Sequence, residues 1–210
     1  MGISPAFPLC YHYHMNIERI ICGPLSANGY ILWQKDGGSA FIIDPGYKPE
    51  RYFEFVRAHR LAVRLILLTH THKDHSGKAG ALADEFGCEI AAQREELDYY
   101  KGRADRLLEG GEVFDLDGEP VEALHTPGHS AGGLCFYAPK SRVCFTGDTI
   151  FNVDLGYTHF PGGDAERMKK SLREVVDKWD NGVTIYPGHG DSATMREVRA
   201  KNTEFLDMLG

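Results

Sequence analysis

Between positions 70 and 75 the chain reads His70-Thr71-His72-Lys73-Asp74-His75, so four side chains able to ligate a metal fall within six residues. The apolar run Val63-Arg64-Leu65-Ile66-Leu67-Leu68-Thr69 leads into them and reads as a buried strand of an α/β sheet. A strand sends alternate residues to opposite faces, so His70 and His72 are expected to project the same way as the strand ends. Asp74 and His75 then fall on the following turn and face a second point. The segment can therefore supply two adjacent ions rather than crowd one.

Three more short motifs set a ligand type where a strand is expected to end. They are Leu124-His125-Thr126-Pro127-Gly128-His129-Ser130, Phe145-Thr146-Gly147-Asp148-Thr149 and Tyr186-Pro187-Gly188-His189-Gly190. In each, glycine lets the backbone turn sharply and expose its neighbour. Singly these are weak signals, since a His after Pro-Gly or an Asp after Gly is most often a turn residue. Together His70, His72, Asp74, His75, His129, Asp148 and His189 give five His and two Asp at strand ends. Imidazole binds zinc or iron well and a carboxylate can bridge two ions, so this is the inventory of a two-metal site.

The elements that carry these residues are legible in outline. Strands are expected at Ile17 to Cys22, Tyr30 to Gln34 and Ala40 to Asp44, with turn signals at Asn28-Gly29 and Gly37-Gly38. A helix follows from Pro49 to His59, then the buried strand, a helix from Gly77 to Phe86 closed by Gly87, and a short strand from Glu89 to Ala92. Glu95 to Tyr100 is a further helical stretch. The second half offers strands at Glu112 to Leu116, Val121 to His125, Gly133 to Tyr137 and Val143 to Thr146. An amphipathic helix from Ala165 to Trp179 is capped by Asp164, and a strand from Val183 to Tyr186 precedes a last helix from Met195 to Leu209. Strands then a helix, given twice, predict an α/β fold of two sheets packed face to face with helices outside.

Composition bounds the rest. At 210 residues the chain is long enough for a substantial core, and the economical reading is one domain over residues 15–210 after an N-terminal extension of residues 1–14. His12 and His14 in that extension read as part of a plain terminus rather than a site. The net charge of -7 gives no basic footprint for general nucleic-acid binding, and no apolar stretch approaches a membrane span. Five cysteines without a CxxC pair point to a reduced, cytoplasmic protein; separately, the partner expected is a small-molecule substrate. Lys73 is expected to face solvent, His125 to be a core or supporting residue, and His59 to suit a helix end. Trp33 and Trp179 are expected in the core, and Asn28-Gly29 in a hairpin turn.

In order and local context, His70-x-His72-x-Asp74-His75 followed by His129, Asp148 and His189 resembles the metallo-β-lactamase superfamily. Within it, Thr126-Pro127-Gly128-His129-Ser130, Gly147-Asp148-Thr149-Ile150-Phe151 and Pro187-Gly188-His189-Gly190 are similar to the glyoxalase II branch, the hydroxyacylglutathione hydrolases. The resemblance runs from Ile17 to His189 and implies a four-layer αββα sandwich with metals at one edge. It implies that His70, His72 and His129 hold a first metal, that Asp74, His75 and His189 hold a second, and that Asp148 bridges. No cysteine stands at a ligand position, which disfavours lactam hydrolysis. Two divalent ions are implied, zinc by expectation, with iron or manganese also suited to an all-N/O shell.

A two-metal site of this kind holds its ions about 3.5–4 Å apart and lowers the pKa of a shared water to around 7. Asp74 is the candidate to orient the hydroxide and accept its proton. A thiolate leaving group, with a thiol pKa of about 8.5, needs little acid assistance, which favours thioesters over amides. The expected function is thus a dinuclear metal-dependent hydrolase of a thioester, hydroxyacylglutathione-like, or a related ester.

The chain departs from the resembled branch in two places. It stops about twenty residues after His189, without the helical C-terminal domain that helps hold glutathione. In the loop Gly156-Tyr157-Thr158-His159-Phe160-Pro161-Gly162-Gly163-Asp164, Tyr157 and His159 stand where short relatives usually have Arg and Asp. These two are the candidates for hydrogen bonding to, or stacking on, a substrate. The leading alternative enzyme is a mononuclear iron persulfide dioxygenase of the same fold, using His70, His129 and Asp148. A flavo-diiron reductase, a nuclease and a non-catalytic metal-binding module are weaker alternatives. Seven ligand positions argue against the last, because structural sites usually close with four.

Overall fold

The computed structural model describes residues 15–210; the reading of residues 1–14 as an extension, with His12 and His14, lies outside them. The first sheet runs β1 (Asn16–Cys22), β2 (Ala27–Trp33), β3 (Ser39–Ile43), β4 (Ala62–Leu67), β5 (Glu89–Gln93) and β6 (Arg106–Leu108) in spatial order. β1 to β3 pair antiparallel, and β3 to β6 pair parallel. The second sheet holds β7 (Val113–Leu116), β8 (Glu119–His125), β9 (Leu134–Ala138), β10 (Val143–Gly147), β11 (Thr184–Pro187) and β12 (Ala193–Thr194), again side by side in chain order. Its pairs are antiparallel except β10 with β11.

Three apolar layers follow from the alternation of side chains along these strands. Tyr30, Leu32, Phe41, Ile43, Leu65 and Leu67 from the first sheet meet Val121, Ala123, Leu134, Phe136 and Phe145 from the second. The outer face of the first sheet is covered by α1 (Pro49–Ala58) and α3 (Ala79–Phe86), through Tyr52, Val56, Leu82 and Ala83. α2 is the single turn Lys73–Ser76. The outer face of the second sheet packs on Met168 and Leu172 of α4 (Ala165–Glu174), Val198 of α5 (Met195–Lys201) and Phe205 of α6 (Thr203–Leu209). The architecture is the expected α/β four-layer αββα sandwich. Along β4 a register shift opposite Ala40 and Phe41 leaves Arg64 as the extra, exposed residue, which lets Val63 and Ile66 both face the helices.

Several element boundaries differ from expectation for tertiary reasons. Asn28-Gly29 is not a turn: both lie within β2, and the chain reverses at residues 23–26, where Gly23 and Ser26 have φ of 60° and 55°. Gly29 is required because a Cβ there would stand 1.9 Å from the Tyr52 hydroxyl. Helix α4 stops at Glu174, ahead of the β-branched pair Val175-Val176, and a 3₁₀ turn over Val176–Lys178 turns Trp179 onto Tyr137. The last helix is two helices broken at Asn202, whose side chain accepts from Phe205 N. Residues 94–98 form a 3₁₀ turn, and β6 had no expectation attached to it.

Phe136 sits fully buried opposite Phe145 and Ala123 in the layer between the sheets. Phe136→Ala is expected to cost about 3–5 kcal/mol, the usual range for an aromatic deleted from a core. Urea denaturation checks this, and a loss below about 1 kcal/mol contradicts the packing described.

Candidate metal centre

Every candidate ligand lies just past the end of a strand, at the same end of the sandwich. β4 stops at Leu67, so His70 and His72 sit on the connection to α2 rather than on the strand itself, and Asp74 and His75 sit within α2. His129 follows β8, Asp148 follows β10 directly, and His189 follows β11. The sheets are stitched together here by Leu134 N to Thr69 O at 2.8 Å and Asn28 N to Gly188 O at 2.7 Å. The Asn28 amide also donates to the carbonyls of Pro187 and Gly190, and the Tyr30 hydroxyl donates to Pro187 O at 2.6 Å. β2 thus fixes the His189 loop, which is why Asn28 belongs inside a strand.

The candidate ligand atoms gather into two groups, His70 with His72 and His129, and Asp74 with His75 and His189, each within 4.8 Å, and a third, fully buried group joins Asp44 to His70 and His75. Asp148 faces both: its carboxylate oxygens lie 3.5 Å from the Nε2 atoms of His75, His129 and His189. His129 Nε2 stands 3.0 Å from His72 Nδ1, and His75 Nε2 stands 3.3 Å from His189 Nε2. His70 Nε2 and Asp148 Oδ1 are buried with no hydrogen-bond partner among the described residues. Buried acceptors left unpaired are costly, and nitrogens converging at these distances repel unless a cation or proton lies between them. The donor set fits metal ions.

The outward-facing nitrogens show why the inward ones are free to ligate. His70 Nδ1 is 3.1 Å from Thr69 Oγ1, which itself donates to Asp44. His75 Nδ1 faces Asp44 Oδ2 at 3.2 Å, His129 Nδ1 faces Tyr157 O at 2.7 Å, and His189 Nδ1 faces Leu25 O at 3.2 Å. An imidazole that donates from Nδ1 to an acceptor presents its Nε2 lone pair on the other side, so these partners fix tautomer and orientation. Asp44 is buried and takes φ of 48°, a left-handed conformation that Asp tolerates, and it also accepts from Thr69 N at 2.8 Å. Glu96, 2% exposed, accepts from Thr71 N and Thr71 Oγ1 on one oxygen and from Gly132 N on the other. It therefore ties the His70–His72 connection to the His129 loop.

Asp44 and Glu96 escaped the sequence reading. Ile43-Asp44-Pro45-Gly46 resembles any strand-end turn, and nothing local marks a carboxylate that bonds residues 25 positions away. Asp44→Asn keeps the shape but weakens the acceptor for His75 and Thr69. It is expected to cost about 10–100-fold in metal affinity or activity, the range for supporting partners of ligating histidines. Competition with a chromophoric chelator measures it, and unchanged affinity would remove Asp44 from this role.

Electrostatics agree with the donor chemistry. Burial, helped by the neighbouring imidazoles, holds the His70 pKa well below its usual value, so His70 is neutral and can ligate. Burial also lowers His129. Asp74 is held at about 2: burial opposes ionisation, but the hydrogen bond from His189 and the charge of His75 outweigh it. For His75 burial again opposes charge, yet the carboxylates of Asp148, Asp44 and Asp74 raise it to about 9. This side of the site carries excess negative charge, which a cation neutralises as well as a proton does.

A cavity of about 700 Å³ opens onto the groups, lined by His72, Asp74, His129, Asp148 and His189 on its floor. Tyr157 lines its wall. His159 does not; its ring lies tilted against Phe160 at 4.5 Å and 5.4 Å from Tyr157 between centroids. Phe160, which the sequence did not single out, lies 5.6 Å from His72 and 6.0 Å from His129 between ring centroids. Asn202 at the break between α5 and α6 donates to Phe151 O and Asp154 O, and Glu204 accepts from Leu155 N, so the helix break anchors the far wall. His125 joins none of the ligand groups and lines a separate cavity with Arg167 and Lys170. Lys73 is exposed, and His59 stacks on Phe55 at the end of α1. No helix among the described residues is long and apolar enough to cross a membrane.

Known proteins share this fold. The family model described as the metallo-beta-lactamase superfamily matches residues 22–189. The hydroxyacylglutathione hydrolase GloC of Haemophilus influenzae is 33% identical over 206 residues, spanning 90% of this chain and 97% of that protein. Among solved structures, the BLEG-1 B3 metallo-beta-lactamase superposes with a TM-score of 0.84 at 28% identity, covering 93% of this chain and 100% of that one. TTHA1623 in a di-iron-bound form gives 0.79 at 27% identity, covering 88% and 98%. With its family match spanning most of the chain and its sandwich bearing His and Asp clusters at one end, this protein belongs to the metallo-beta-lactamase superfamily.

Proposed function

We propose that the protein is a metal-dependent hydrolase of thioesters that works with two divalent ions, zinc first by ligand chemistry. The observation that carries this reading is the convergence of two three-residue groups on one carboxylate, Asp148, beside unpartnered His70 Nε2 and an open cavity. Membership of the superfamily and similarity to a hydroxyacylglutathione hydrolase support metal-dependent hydrolysis. In this reading His70, His72 and His129 hold one ion, Asp74, His75 and His189 hold the other, and Asp148 contacts both. When bound, such a pair supplies an acidified water and polarises an acyl carbonyl.

The remaining work falls to this chain's own groups. Asp74 is ionised and borders the cavity, which suits it to orient a water and take its proton. The rings of Phe160 and Phe151 stand beside His72, His129 and His189 at the cavity. Beyond the candidate ligand His and Asp, the cavity's polar groups are the side chains of Asn152 and Asp154 and the hydroxyl at the tip of the otherwise apolar Tyr157. None is an obvious acid for an amine leaving group, whereas a thiolate, with a thiol pKa of about 8.5, departs without one.

Metal analysis of the purified protein paired with a thioester panel tests the proposal. Two ions per chain and turnover of a thioester are expected. A single iron with oxygen consumption on a persulfide would instead establish the dioxygenase alternative.

A further inference from the structure

The cavity wall carries information about the substrate beyond its scissile bond. Four large apolar side chains around it stand exposed in the protein alone: Leu25 at 66%, Tyr157 at 68%, Val153 at 49% and Phe160 at 41%. Exposed apolar groups gathered on one concave surface mark a binding face, whereas single ones scattered over a surface mark nothing. The charge on the same wall is of one sign. Asp154 lies on it, and no Lys or Arg lines the cavity among the described residues. Arg19 does reach the Gly190 carbonyl at 3.0 Å, but it is paired with Asp191 at 2.9 Å. The wall is also held in place, since Asn202 and Glu204 bond the backbone of residues 151–155. Its apolar groups are therefore presented before a ligand arrives, which lowers the cost of binding.

From this we propose that the cleft selects thioesters with an apolar, uncharged body. It discriminates against carriers that bear carboxylates or phosphates, glutathione and coenzyme A among them. This rests on the thioester reading above and specifies the substrate class of the same site. An anionic carrier lying along this wall meets Asp154 with no Lys or Arg beside it to offset the charge, and its own charge must shed water against Leu25, Val153 and Tyr157. The selection thus has an attractive part and a repulsive part, as discrimination generally requires.

The test uses non-hydrolysable benzyl thioethers of N-acetylcysteamine, glutathione and coenzyme A, titrated calorimetrically into the metal-loaded full chain. The neutral N-acetylcysteamine thioether is expected to bind about tenfold more tightly than either anionic one, the scale of one unscreened like-charge contact near a protein surface. The gap is expected to narrow at high salt. Val153→Arg, which adds a cation to the wall, should shrink the preference or reverse it in favour of the glutathione thioether. Equal or tighter binding of the glutathione or coenzyme A thioether by the unaltered protein would overturn the proposal, as would a Val153→Arg variant with unchanged ratios. A parallel turnover assay on benzoyl thioesters of the same three carriers separates this from the function itself. Turnover led by an anionic carrier overturns the selectivity alone, while absence of turnover on all three, with the binding order intact, overturns the thioester reading alone.

Discussion

Asp148→Asn is expected to reduce the bound metal from two ions toward one and to lower kcat/KM by well beyond the ~10–100-fold typical of a supporting residue. The substitution keeps volume and backbone but replaces an anionic oxygen with an amide that cannot bridge two cations. Oδ1 of Asp148 is buried without another partner, so an amide nitrogen there would point donor hydrogens at the imidazole nitrogen of His75. The loss also removes negative charge that the two ligand groups share. Metal content by mass spectrometry and kcat/KM on the best thioester read the two effects separately. Two tightly held ions and near-normal kcat/KM in this variant would strip Asp148 of the bridging role.

The second large effect lies outside the ligand set. A Cβ on Gly46 would stand 1.5 Å from the carbonyl oxygen of Asp74 and 2.3 Å from its carbon. The atoms met are backbone, so no side-chain rotation can relieve the clash, and the turn carrying Asp74 and His75 must move. Gly46→Ala is expected to destabilise the fold by roughly 3 kcal/mol, the upper end of the usual range for overpacking. It should also empty the group of Asp74, His75 and His189 while sparing that of His70, His72 and His129. Calorimetric melting with metal analysis checks both. Gly80→Ala is the control: its Cβ meets nothing within 4 Å in α3, and the change should be neutral or stabilising by up to about 1 kcal/mol. Equal behaviour of the two variants would contradict the close approach at Gly46.

Much of this was legible in the sequence because the signals are local. Alternation and apolar runs marked β1, β3, β4 and β7 to β11 to within a few residues, and ligand types after strand ends marked the seven candidates. What stayed hidden depends on contacts across the fold. Asn28-Gly29 has the chemistry of a tight turn, yet Asn28 is spent bonding the loop 159 to 162 positions away, and Tyr52 leaves no room for a side chain at Gly29. The run from Met195 to Leu209 has continuous helical character, and only the Phe151 and Asp154 carbonyls explain its break at Asn202. Asp44 and Glu96 carry no local mark, because their partners are brought to them by the packing of the sheets.

The candidate ligands divide between the two sheets: His70, His72, Asp74 and His75 follow a strand of the first, while His129, Asp148 and His189 follow strands of the second. Any ion held by one member of each is a removable cross-link between the two halves of the molecule. Binding that favours only the folded chain adds RT ln(1 + [L]/Kd) to its stability, about 2.7 kcal/mol per ion at a hundredfold excess over Kd. Unfolding would then depend on the concentration of free metal, and a chelator would act as a denaturant of this protein. The end of the sandwich proposed to do the chemistry would also be the clasp that keeps it shut, so a cell short of metal would lose the protein as well as its activity.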